Sequence, residues 1–166
     1  MKIAVTDANI FIDLIKLQLL GHLFNIDFEI HTTREVIDQL NDAQYDKVEQ
    51  LVQSNNLKVC HFTGQELSEI NDLKCPRALE FPDRTVIYLA SKIAAEVLTG
   101  DGPLRKFCAA NGLIVHGIIW LFDEFLAKEL IEPAFAVEKL NELLGFNSRL
   151  PKDDCLGRIK QWQDMQ

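Results

Sequence analysis

The sequence predicts an α/β fold: a three-layer α/β/α sandwich with a parallel sheet of about five strands and extra helices at its C-terminal end. Three observations carry this reading. Short apolar, β-branched runs alternate with stretches of helical periodicity, so each strand is followed by a crossover long enough to hold a helix. The first run, Lys2-Ile3-Ala4-Val5-Thr6, is apolar without the strict alternation of a strand with one wet face, as expected for burial on both faces. Beyond residue 117 the periodicity is helical only.

Residues 2–6 read as the first strand. Residues 9–21 read as a helix, with Ile10, Leu14, Leu17 and Leu20 at helical spacing and Gly21 as its stop. A second strand is expected at 27–31, then a long helix or helix pair over 33–54, broken near Asn41-Asp42. Leu57 to Phe62 alternates as a third strand. Residues 65–74 are helical, and Cys75-Pro76 and Phe81-Pro82 bracket a loop. A helix over 82–94 leads to a fourth strand at 96–99. A helix over 103–111 ends at Asn111-Gly112 and precedes a fifth strand at 113–116. Helices are expected at 117–130, 133–144 and 153–164. Strands joined through helices imply right-handed crossovers, with helices on both faces of the sheet. No repeat, low-complexity tract or linker divides the chain, so 1–166 reads as a single domain with 117–166 as a helical extension.

At 166 residues and 48% apolar, the chain can enclose one proper core and is short for two. Its formal charge of −8 argues against a protein that coats nucleic acid by charge alone. It leaves room for an enzyme acting on nucleic acid, because a metal and a local basic patch can offset acids in a site. The four cysteines, Cys60, Cys75, Cys108 and Cys155, are widely spaced and match no zinc-ligand pattern. No signal peptide is visible and no apolar stretch reaches membrane-spanning length. A soluble, reduced, cytoplasmic protein with no membrane partner is the expectation.

Four acids stand where a buried element meets a loop. Asp7 ends the first strand, Glu35 opens the pattern after Phe28-Glu29-Ile30-His31-Thr32, Asp83 begins the segment running to Ala90, and Asp101 closes Val97-Leu98-Thr99-Gly100. The carboxyl ends of parallel strands are where open α/β sheets bind ligands. Carboxylates gathered there repel one another unless a divalent cation neutralises them, and all-oxygen clusters suit Mg²⁺ or Mn²⁺. The pattern points to a metal-dependent phosphodiesterase.

These residues carry a resemblance. Val5-Thr6-Asp7-Ala8-Asn9-Ile10-Phe11-Ile12-Asp13-Leu14 looks like the start of a PIN domain, with an Asp ending strand one and a small polar residue two places later. Asp83 followed by Val86-Ile87-Tyr88-Leu89-Ala90 resembles that family's third acid. Leu98-Thr99-Gly100-Asp101, with Leu104 and Gly112, resembles its fourth. Gly117-Ile118-Ile119-Trp120-Leu121, Arg149-Leu150-Pro151 and Ile159-Lys160-Gln161-Trp162 are similar to a bacterial and archaeal branch with extra C-terminal helices. The resemblance implies a metal-dependent ribonuclease using Mg²⁺ or Mn²⁺ on an RNA substrate. Such proteins are often the toxin of a toxin–antitoxin pair, which implies an antitoxin partner.

Each acid also has a plainer reading. Asp7 can cap the helix that follows it. Asp13, further along that helix, reads as a solvated residue. Thr32-Thr33-Arg34-Glu35 is a capping box as written, with Glu35 at the third helical position. The resemblance admits two registers here, because some PIN domains place the acid where Gln39 stands. Asp38 is the runner-up to Glu35. Asp83, Val86, Ile87, Ala90 and Ala94 share one helical face, so an acid begins the stripe that packs on the sheet. Asp101 precedes Gly102-Pro103 and can serve a turn.

The four acids are read as metal ligands, one of them also holding the attacking water. Asn9 and Thr99 are candidates to orient Asp7 or a ligand, and Arg84, Arg105 and Lys106 are the natural phosphate contacts. His31 and His116 fall at strand ends and read as structural. Trp120, Phe122 and Phe125, with Leu121 and Leu126, read as core or as the contact of a homodimer. Two rival functions remain: a catalytically degenerate PIN domain that binds RNA or protein, and an acid-pocket phosphatase. The phosphatase wants Asp-x-Asp after strand one, where this chain has Asp7-Ala8-Asn9.

Overall fold

A computed structural model describes residues 1–166. Five parallel strands form one sheet: β1 (Lys2–Thr6), β2 (Phe28–Thr33), β3 (Leu57–Cys60), β4 (Glu96–Leu98) and β5 (Val115–His116), in the order β3-β2-β1-β4-β5. The chain winds outward from β1 to β3 and then returns to the other side of β1 at β4. That reversal opens a crevice at the carboxyl ends of β1 and β4. The register pairs Thr6 with Leu98, so the next residues, Asp7 and Thr99, leave the sheet side by side.

Nine helices surround the sheet: α1 (Ala8–Lys16), α2 (Arg34–Ile37), α3 (Asp42–Gln53), α4 (Gly64–Asn71), α5 (Phe81–Ile93), α6 (Gly102–Ala110), α7 (Ile118–Ala127), α8 (Pro133–Phe146) and α9 (Lys152–Asp164). None is long and apolar enough to cross a membrane. All four cysteines are free.

Most boundaries shift by a few residues from the sequence reading, β3 ending at Cys60 and β5 spanning only Val115–His116, and three of the shifts have a clear physical cause. The first helix stops at Lys16, not Gly21, and Gln18 turns left-handed at φ 60°. Leu17 and Leu19 are both fully buried, yet on a continuous helix they would lie about 200° apart. The chain therefore breaks, and a 3₁₀ turn at Leu20–Asn25 follows. The second helical stretch does break where expected, with Asn41 capping α3. Its start shifts by one residue: Thr33, not Thr32, caps α2 by accepting the Val36 N–H at 3.1 Å. Thr32 is committed elsewhere, its hydroxyl donating to the Thr6 carbonyl at 2.8 Å, so Glu35 falls at the second helical position. On α5, Val86, Ile87 and Ala90 are buried, but Ala94 is an exposed left-handed C-cap at φ 53°.

The C-terminal helices share the core of the sheet. One cluster of buried apolar residues runs from Ala4 on β1 to Trp162 on α9. Phe122 of α7 packs against Trp162 with ring centroids 5.7 Å apart. Full burial of an apolar side chain contributes about 2–3 kcal/mol, enough for a few aromatic residues to hold three helices in place. Leu121, Phe122 and Phe125 thus face the protein's own interior. Trp120 is half-buried and stacks on His116 at 3.8 Å, and His116 pairs with Glu96 at 2.6 Å. His31, which lies within β2 and not at its end, pairs with Glu29 at 2.5 Å.

Candidate active site

Asp7 is the best-held of the acids. Its backbone N–H still reaches across the sheet to the Leu98 carbonyl at 3.0 Å, and its side chain caps α1 through the Ala8 N–H at 2.7 Å. The other carboxyl oxygen accepts from Thr99 Oγ1 at 2.8 Å and from Asn9 Nδ2 at 3.1 Å. The residue is only 4% exposed. Burial pushes its carboxyl above the usual range; the Thr99 and Ala8 hydrogen bonds oppose that rise, and nearby Asp101 adds to it.

Thr99 ties two acids together. While its hydroxyl donates to Asp7, it accepts the Asp101 N–H at 3.1 Å. Asp101 in turn caps α6, one carboxyl oxygen accepting the Leu104 N–H at 2.9 Å. Asn9 closes the loop, its carbonyl oxygen accepting the Gly100 N–H at 3.0 Å. Sequence-adjacent polar residues on two neighbouring strand ends thus form one hydrogen-bonded unit.

Asp83 arrives on α5. A hydroxyl pair, Thr33 Oγ1 to Thr85 Oγ1 at 2.8 Å, joins the end of β2 to the first turn of that helix. One Asp83 oxygen, Oδ2, accepts the Glu80 N–H at 2.9 Å. Desolvation is the main reason its carboxyl is raised to about 6; the Glu80 hydrogen bond opposes, and the charges of Asp7, Asp101 and Glu80 push further up. The charges of Asp7 and Asp101 both register at Asp83, so acids read as separate motifs influence one another without standing close enough to form a three-carboxylate metal group. Cys108, buried on α6, feels the charges of Asp7 and Asp83, and its thiol is pushed up to about 11, chiefly by burial.

The other predicted residues lie elsewhere or act differently. Glu35 is half-buried with Oε2 shielded from water and without a hydrogen-bond partner. Its charge registers at Cys60, the end of β3, and not at Asp7 or Asp83. Asp38 is exposed and pairs with Arg34 at 3.0 Å, and Gln39 is exposed beside it. The short α2 ends at Ile37, so it does not carry Glu35 and Gln39 along one continuous face. Arg84 points away from the crevice: its guanidinium donates to the Asn71 carbonyl at 2.9 Å, tethering α5 to the end of α4. Lys106 is exposed on α6 and does not line the clefts beside the acids. Arg105 does, donating to the Thr99 carbonyl at 3.2 Å. Its guanidinium fits because residue 117 is glycine, where an added Cβ would come within 2.6 Å of it.

A family model described as a PIN domain matches residues 3–164. The chain belongs to the PIN domain family. Among solved structures it is similar to a domain of a functionally unknown protein from Methanocaldococcus jannaschii DSM 2661, with 18% identity, 70% of this chain and 91% of that chain covered, and a TM-score of 0.48. No curated protein matches it.

PIN domains are generally nucleases and typically use divalent metals. In this PIN domain no three His, Cys, Asp or Glu side chains stand close enough to form a ready-made metal cage. The donor set nevertheless fits a hard cation that keeps part of its water shell. Mg²⁺ is commonly held by one or two carboxylates, with waters and substrate phosphate filling its remaining positions. The caps occupy Oδ2 of Asp83 and Oδ2 of Asp101, leaving Oδ1 of each for such a role.

Sequence reading missed three residues of this PIN domain's site. Asp13 is not a solvated helix residue: it is half-buried and accepts from Asn147 Nδ2 at 2.8 Å. Burial raises its carboxyl, opposed by that hydrogen bond. The available signal was its spacing of four from Asn9, which places both on one helical face. Asn147 and Arg149 come from the connection between α8 and α9, and Arg149 reaches within 4.0 Å of Asp101. No local pattern announces that approach.

Proposed function

We propose that this PIN domain is a metal-dependent ribonuclease that hydrolyses RNA phosphodiester bonds, with Asp7, Asp83 and Asp101 holding Mg²⁺ or Mn²⁺. One observation carries the reading: Thr99 joins Asp7 and Asp101 at neighbouring strand ends through hydrogen bonds of 2.8 and 3.1 Å, and the charges of both acids register at Asp83 on α5. Such a cation, when bound, offsets the acids' repulsion, lowers the pKa of a bound water and stabilises negative charge on a phosphate.

The chain's own residues do the rest. Thr99 and Asn9 fix Asp7 in one orientation, so its carboxylate needs no reorganisation as charge develops. Asp83 Oδ1, left free by the Glu80 cap, is the oxygen available to hold the cation or the attacking water. Arg105, anchored on Thr99, presents its remaining N–H groups to phosphate. None of the described features reads bases by a dedicated module, so selectivity would rest on the shape of the RNA.

The test is Mn²⁺-dependent cleavage of mixed RNA by the purified chain, with Asp101→Asn as control. Asn still caps a helix, so the variant should remain folded by circular dichroism while cleavage falls by at least about two orders of magnitude. Wild-type cleavage by Asp101→Asn sinks the assignment. RNA binding without cleavage would instead favour the degenerate binding module, which the displaced Glu35 and the exposed Gln39 support. Action as the toxin of a toxin–antitoxin pair, as a homodimer, belongs to the same proposal and requires growth arrest on expression that Asp101→Asn relieves.

A further inference from the structure

Asp101 and Asp13 line a cleft of about 770 Å³ that is also walled by the connection between α8 and α9. Three arginines line it: Arg105, Arg149 and Arg158. Arg158 is held by Asp123 through contacts of 2.9 and 3.1 Å. Arg105 donates to the Thr99 carbonyl. Arg149 differs, because its guanidinium makes no hydrogen bond, its nearest carboxylate is Asp101 at 4.0 Å, and its side chain is 69% exposed. Its charge still reaches Asp7 and Asp13, favouring both as carboxylates. A cation therefore stands over the acid cluster without being neutralised by any one member.

The position is built. Asn147 donates to Asp13 on α1, 134 residues away, and its carbonyl oxygen accepts the Arg149 N–H at 3.0 Å. The Asn147 N–H itself closes the end of α8 on the Leu143 carbonyl at 2.8 Å. The backbone of residue 149 is thus tied to the first helix of the site, while its side chain stays free. Burying Asp13 for this tie runs against solvation, since burial is what raises its carboxyl.

We infer that Arg149 grips a phosphate of the bound RNA strand beside the acids, which makes the C-terminal helices part of the substrate site. The inference rests on the nuclease reading of the same acids. An arginine offers a planar fork that meets two phosphate oxygens at once. A loosely paired, exposed guanidinium gives up little when a phosphate replaces Asp101 as its partner.

The experiment uses the full chain in an Asp83→Asn background, where cutting is blocked, and a single-stranded oligoribonucleotide of mixed sequence. Affinity is read by fluorescence anisotropy across a KCl series. Arg149→Ala should weaken binding by about tenfold and flatten the plot of log affinity against log salt by about 0.7, the loss of one phosphate contact to a single strand. Arg149→Lys should restore the slope but only part of the affinity, because it keeps the charge and loses the fork. Unchanged affinity and slope in Arg149→Ala overturn the proposal. So does a slope that Lys fails to restore, which would mark a structural role. A chain that cuts RNA while indifferent to Arg149 sinks this inference alone. A chain that binds RNA through Arg149 yet never cuts sinks the nuclease reading alone.

Discussion

Replacing Asp83 by Asn should stabilise the metal-free protein near neutral pH by an amount its surroundings set. The Asp83 carboxyl rises from 3.8 to about 6 on folding, mainly through desolvation, with Asp7 and Asp101 adding to it. A raised folded-state value means that the ionised form is disfavoured in the native protein. Below pH 3.8 the group is protonated whether folded or not and contributes nothing. Between there and about 6 the unfolded chain releases its proton first, so native stability falls as pH rises. Above that window the whole cost is present. At about 1.4 kcal/mol per pH unit the rise corresponds to about 3 kcal/mol. Asp83 is only half-buried, so solvent screening trims this figure, and part of it is shared with Asp7 and Asp101; a single substitution should recover about 1 kcal/mol. Asn keeps an oxygen to accept the Glu80 N–H, so the start of α5 is preserved. For a chain of this length the gain corresponds to about 2–4 °C in melting temperature. Thermal melts in EDTA from pH 4 to 7.5 read it directly. The variant should melt higher at pH 7.5 and converge with wild type toward pH 4. Identical melting at pH 7.5, or an advantage just as large at pH 4, would refute the reasoning.

Thr99→Val removes the hydroxyl that serves both Asp7 and Asp101 while keeping its volume, and should cost about 1–3 kcal/mol at neutral pH. The loss should shrink in acid as Asp7 takes up a proton, so urea melts that show the same penalty at both pH values would contradict the bridging role. Mn²⁺ should raise the wild-type melting temperature, since binding only the native state at a hundred times the dissociation constant contributes about 2.7 kcal/mol. Asp83→Asn and Asp101→Asn should blunt that rise, and calorimetry showing no metal dependence in the wild type would count against a competent site.

The strand and helix order was legible because each element writes its own periodicity. β1 announces itself by continuous apolar character, and α5 by the stripe Val86, Ile87, Ala90 that an acid begins. Asp7, Asp83 and Asp101 stood out as candidates for the same reason, each being a polar residue at the edge of a buried run, Asp7 and Asp101 after one and Asp83 before one. Where two local rules competed, the sequence reading slipped. Thr32 and Thr33 are equal candidates to cap α2, and the choice fell to Thr33 because Thr32 donates to the Thr6 carbonyl of the neighbouring strand. That one-residue shift set Glu35 at the second helical position, while α2 itself stopped before it could carry the face on to Gln39.

By itself the sequence determined the sandwich, its five parallel strands, and the standing of Asp7 and Asp101 just past strand ends and of Asp83 at the start of a helix, since short-range periodicity and burial decide these. The strand order that sets β1 beside β4 is a long-range pairing. Only the tertiary structure decided which charges share a field. Glu35 was sent toward Cys60, Arg84 toward the end of α4, and Asp13 and Arg149 were drawn together by Asn147 from opposite ends of the chain. Electrostatic coupling depends on distance through space and on the water excluded between groups, and neither quantity is written in the local order of residues.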